Sequence, residues 1–146
     1  MSARVKIRFS FTDASGNTEI ETMWAVTRED GCELDNIPFY VKELALGDVV
    51  SVTTTPDGTL WHSGLVRASG HSTVRLWFAS EIDVIRVRGE LKTLGCPSEL
   101  SDLPRLVAVD VPPSIAYADV KAYLDQGEAG GTFEYQEACL GCMAPG

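Results

Sequence analysis

No apolar run in this chain approaches the roughly 18 to 20 residues that a membrane-spanning helix needs, so no span is expected. Cysteine is scarce. Cys32, Cys96, Cys139 and Cys142 are too few for a secreted disulfide scaffold, and the first residues lead into an alternating strand pattern instead of an apolar signal stretch, so a reducing cytoplasm is the expected compartment. Basic residues are missing from the last third. Residues 99–146 hold only Arg105 and Lys121 against eight acidic groups, which accounts for two thirds of the net charge of -9. A nucleic-acid surface needs clustered Lys and Arg to displace phosphate counterions, so a nucleic-acid partner is not expected. The acidity keeps a small protein soluble and also suits a basic protein partner.

Catalytic and phosphate-binding signatures are absent as well. No Gly-x-Ser-x-Gly elbow occurs, and Gly127-Glu128-Ala129-Gly130-Gly131 follows a helix pattern instead of opening one, so it lacks the helix N-terminus that binds anions. The 146 residues fit one domain or two small packed ones, enough to bury a core without metal or disulfide staples.

The first half reads as short strands. Val5, Ile7, Phe9 and Phe11 alternate with polar residues, and Ile20, Thr22, Trp24 and Val26 repeat the period of two after a turn at 13–17. Cys32 to Leu34, Val49 to Thr55 and Leu60 to Val66 follow, the last two joined by Pro56-Asp57-Gly58. Five short strands suggest a small β-barrel or a curled antiparallel sheet over residues 1–70.

The period then changes. Val74, Leu76 and Phe78 alternate with Thr73, Arg75 and Trp77, and Ser80 stands three residues before Asp83 where a helix opens. Val84, Val87, Leu91 and Leu94 form its apolar face, and Gly95 ends it. A short strand is expected at Cys96 to Glu99 and a buried one at Leu106 to Val111. A helix capped by Ser114 is expected to carry Ala116, Val120 and Leu124 inward and to stop at Gly127, before a strand from Thr132 to Ala138. That order, β-α-β-β-α-β, predicts a ferredoxin-like unit over residues 71–141 with a tail at 142–146, and an α+β fold for the whole. Because 72–78 also suits the first-half sheet, the two parts can share one core.

His71, in Gly70-His71-Ser72-Thr73, is the leading functional residue. It suits a general base, or a donor to an anion held with Ser72, Thr73 and Arg75 or Arg67, and it equally suits a hairpin tie to the backbone. Asn36, in Asp35-Asn36-Ile37-Pro38-Phe39-Tyr40, is either a ligand contact beside an aromatic wall or a turn residue. Trp24, Trp61 and Trp77 read as core or half-buried strand residues, and His62 as a surface one. Cys139-Leu140-Gly141-Cys142 lacks a second ligand pair and a following helix, so neither a metal site nor a cofactor is expected.

Several blocks, among them Leu34-Asp35-Asn36-Ile37-Pro38-Phe39, Ser69-Gly70-His71-Ser72-Thr73, Val109-Asp110-Val111-Pro112-Pro113 and Phe133-Glu134-Tyr135, resemble the bacterial family called domain of unknown function 4265. The resemblance implies a small bacterial unit and no particular activity. The expected function is a non-catalytic protein-binding or regulatory module, comparable by analogy with small acidic toxin-immunity proteins. The alternative is an enzyme or small-ligand binder that uses His71.

Overall fold

The computed structural model describes residues 2–141; Cys142 and the rest of the 142–146 tail lie outside the described residues. Strands β1 (Arg4–Thr12), β2 (Thr18–Thr27), β3 (Cys32–Leu34), β4 (Val49–Thr54) and β5 (Leu60–Arg67) form a closed barrel. Neighbours run antiparallel, and β1 closes on β5 in parallel through Ile7 opposite Leu60 and Arg8 opposite Trp61. The period of two sends Ile7, Phe9, Met23, Ala25, Leu34 and Val50 inward, the larger of them contributing about 1.5 to 3 kcal/mol each on burial. Arg4 and Lys6 stay outside over the Trp24 ring, at 4.1 and 4.9 Å. His62 departs from its expected surface position: its ring stacks on Phe9 at 4.8 Å, its Nε2 has no partner among the described residues, and burial lowers its pKa.

The remaining elements are β6 (Ser72–Phe78), α1 (Val84–Thr93), β7 (Ser98–Leu100), β8 (Leu106–Val111), α2 (Tyr117–Ala129) and β9 (Phe133–Cys139). Their sheet has the order β7-β8-β6-β9 with all neighbours antiparallel. Strand β6 lies inside this sheet and does not extend the barrel. Val74, Leu76, Phe78, Val107 and Val109 pack against Val84, Val87 and Leu91 of α1 and Val120 and Leu124 of α2, a core separate from the barrel's.

Helix boundaries differ from the sequence expectation in three places. Ser114 does not cap α2; the Ile115 N–H bonds back to Pro112, so a turn uses those residues and the helix begins at Tyr117 with no side-chain cap. Gly127 does not end α2 either. The Phe133 ring fills the space where a side chain would stand, and a Cβ there would lie 2.2 Å from Phe133 Cζ. Leu94 is the C-cap of α1 and is exposed, while Cys96 takes the buried position. The short strand forms slightly later than expected, at Ser98–Leu100.

The sheet face turned away from the helices carries Thr73, Arg75 and Trp77 opposite Asp110, Ala108 and Leu106. The barrel's connection between β3 and β4 lies over the Thr73 end of this face. Thr73 Oγ1 donates to the Leu44 carbonyl at 2.9 Å, Arg75 Nη2 donates to the Val41 carbonyl, and the Glu43 N–H donates to the Ala138 carbonyl at 2.8 Å. Glu43 takes a left-handed φ of 65° in this connection. Trp77, at the other end of the face, stays 41% exposed.

Candidate functional site

The His71 region is built around two buried carboxylates. Asp48 accepts the Ala45 N–H at 3.0 Å and the Ser69 N–H at 2.8 Å. The Ser69 hydroxyl lies 2.7 Å from the Leu46 carbonyl and 2.9 Å from Asp48, and it accepts the His71 N–H at 3.1 Å. His71 Nδ1 then meets Asp110 Oδ1 at 2.8 Å. Burial raises the Asp110 carboxyl above its ordinary range, and the His71 contact offsets only part of this. The His71 side chain remains about a quarter exposed, at 24%.

A carboxylate holding one imidazole nitrogen is the orienting half of a catalytic arrangement, which also needs an activated nucleophile. The neighbouring thiols are poorly suited to that role. Burial, with Asp110 adding to it, pushes Cys96 up to about 11; burial, with Asp48 and Glu43 adding to it, pushes Cys139 up to about 11.

The other residues singled out in the sequence bond within the fold. Asn36 Oδ1 accepts the Trp24 N–H at 2.6 Å, and the next amide, Ile37, donates to Glu99 at 3.4 Å. The 35–38 turn is thereby tied both to the barrel and to β7. Ser72 Oγ accepts the Gly141 N–H at 3.1 Å, and Arg67 pairs with Asp30 at 3.2 Å. Among the described residues, Asn36 and His71 have no bonding partner in common.

Arg75 stands apart from these ties. It reaches a cleft of about 590 Å³ between the uncovered end of the sheet and the barrel. Phe11 from the end of β1, Phe39 and Tyr40 from the 35–48 connection, Trp77 of β6 and Tyr135 of β9 supply its aromatic surface, with Lys42 as a second cation. The Phe11 and Tyr40 rings stack at 5.5 Å, only 7° from parallel. Glu21 fixes the wall they stand on, because its buried carboxylate accepts the N–H groups of Phe39 at 2.7 Å, Tyr40 at 3.1 Å and Val41 at 3.0 Å.

The Arg75 side chain lies beneath, 7% exposed, with Nη1 3.4 Å from Gln136 and, among the described residues, no partner at Nε. Burial lowers its pKa, with Glu21 acting in the opposite direction, and a guanidinium remains charged at neutral pH. Arg75 is thus part of the cleft and not only a neighbour of His71, and Trp77, expected as a core or half-buried strand residue, stands exposed at its edge. The usable signal was the alternation of Thr73, Arg75 and Trp77 with Val74, Leu76 and Phe78, which marks a face that the helices do not cover.

The sequence profile of a family described as "Domain of unknown function (DUF4265)" matches residues 21–135. The chain belongs to the DUF4265 family. The matched segment of this DUF4265 protein includes Glu21, the aromatic connection, Arg75 and Trp77. A solved structure described as "Novel crystal structure of a hypothetical protein from Neisseria gonorrhoeae" is similar, with a TM-score of 0.82 and 22% identity over 94% of this chain and 96% of that one. At that identity the likeness establishes a shared fold. No curated protein matches the chain. Among the described residues, no helix is long and apolar enough to cross a membrane.

Proposed function

We propose that this protein is a non-catalytic binding module that holds a protein partner at the cleft between its barrel and its second sheet. The carrying observation is the convergence of Phe11, Tyr40 and Trp77 around a buried guanidinium whose Nε has no partner among the described residues. Apolar clefts with a few converging polar groups are the usual form of a recognition site. The acidic groups of α2 and β9 support a partner whose surface is basic around the segment it inserts. We also read the second unit as ferredoxin-like, a reading supported by its β-α-β-β-α-β order and its β7-β8-β6-β9 strand order.

The alternative, an enzyme using His71, draws on the Asp110 contact, but the two raised thiols beside it count against nucleophilic chemistry. A pull-down with wild type, Trp77→Ala and His71→Ala separates these readings. The module reading expects a partner retained by wild type and by folded His71→Ala, and lost by Trp77→Ala. Retention by Trp77→Ala sinks the cleft as the binding place.

A further inference from the structure

We infer that the cleft takes a ring-bearing carboxylate, its ring against Phe11, Tyr40 and Trp77 and its carboxylate directed at Arg75. The inference rests on the binding-module reading and adds the chemistry of what is bound. A buried cation is costly unless an anion faces it. Among the described residues no carboxylate pairs directly with Arg75. Glu21, the acid that acts on it electrostatically, already accepts three backbone N–H groups.

The planar guanidinium fork matches a carboxylate in two-point contact. Its 3.4 Å bond to the exposed Gln136 is its longest, and the readiest to yield. Glu134 and Asp13 line the same cleft and repel a doubly charged anion more strongly than a single carboxylate. Lys42 supplies a second positive charge, and the near-parallel Phe11 and Tyr40 rings, with the exposed Trp77, favour a flat apolar group beside the charge. The protein-partner reading makes the source of this carboxylate the C-terminal aromatic residue of a polypeptide, while a free aromatic acid presents the same chemistry as a probe.

The test is an NMR titration of the full chain with phenylacetate, the neutral phenylacetamide, an acetylated peptide ending in phenylalanine with a free carboxylate, and the same peptide amidated. The acids are expected to shift the Trp77 indole N–H and the Gln136 side-chain amide, and to bind about tenfold more tightly than the amides. Arg75→Gln removes that preference, and Arg75→Lys retains part of it. If the Arg75 variants fail to fold, Trp77→Ala and Lys42→Gln carry the test, each with weakened acid binding in a folded protein.

Much tighter binding of the acid peptide than of phenylacetate supports a chain terminus, and similar affinity for the two overturns the terminus in favour of a free small molecule. Equal affinity for acids and amides at the cleft overturns the carboxylate and leaves the module reading standing. Absence of any shift at Trp77 overturns the ligand chemistry. A captured partner indifferent to Trp77→Ala overturns the module reading itself.

Discussion

Replacing Glu21 by glutamine tests whether the aromatic wall of the cleft is held by one carboxylate. In the wild type Glu21 Oε2 accepts the Phe39 N–H, and Oε1 accepts those of Tyr40 and Val41. Glutamine keeps one oxygen. Facing Tyr40 and Val41, it turns an amide donor toward the Phe39 N–H; flipped, it opposes two donors. A lost bond to a charged acceptor costs about 1.5 to 3 kcal/mol, and the two survivors become neutral and weaker, so the total is about 2 to 4 kcal/mol. That is a large part of the roughly 5 to 15 kcal/mol that stabilises a domain. At about 2 to 4 °C per kcal/mol for a chain of this size, Tm falls by about 4 to 16 °C. Thermal unfolding by circular dichroism measures this, with Glu19→Gln, an exposed acid of the same strand, as control. Hydrogen exchange at Phe39, Tyr40 and Val41 is expected to accelerate. A Tm within about 2 °C of wild type and unchanged protection at those amides would refute the reasoning.

Asp110 has a folded-state pKa above its ordinary 3.8, so in the window between the two values the folded protein holds a proton that the unfolded chain has released. Stability therefore falls as pH rises through that window, and Asp110→Asn, which does not titrate, gains on wild type in urea midpoints compared from pH 3 upward; a constant difference would count against the shift. Gly127→Ala is expected to cost about 1 to 3 kcal/mol in urea unfolding, because the clash with the Phe133 ring outweighs the gain of about 1 kcal/mol in helix propensity; net stabilisation would be the contrary result. Cys139, raised from 9.0 to about 11, carries about 100-fold less thiolate than an ordinary cysteine, and peptide mapping after timed iodoacetamide treatment is expected to find it correspondingly slow; alkylation at the rate of free cysteine would contradict the environment described.

Strand periodicity was the most legible feature of this chain. The alternation of Ile7 and Phe9, and of Ile20 to Val26, is local chemistry read every second residue, and the barrel strands fall where it places them, but in β2 the inward set is Met23 and Ala25, the opposite phase from Ile20, Thr22, Trp24 and Val26. Helix α1 was equally readable from Val84, Val87 and Leu91. The misplaced limits of α2 have a non-local cause at Gly127, where the space is taken by a ring six residues further on. The same applies to the cleft. Arg75 and Tyr40 were visible as residues, but their meeting depends on the barrel lying over only one end of the sheet, which no periodicity encodes. Glu21 looked like any strand acid because its three amide partners stand about twenty residues away.

The connection between β3 and β4 is secured from far along the chain, by Ser69, Thr73, Arg75 and finally Ala138 of β9. During synthesis from the N-terminus Ser69, Thr73 and Arg75 follow directly after the last barrel strand, whereas Ala138, which completes the clamp, emerges about seventy residues later. Loop closure over nearly a hundred residues comes late and slowly. Until β9 adds to β6, the Phe39 and Tyr40 wall has only Glu21 and part of its final support. The cleft is thus among the last features to be completed, and a chain arrested before β9 would carry a barrel with no finished cleft.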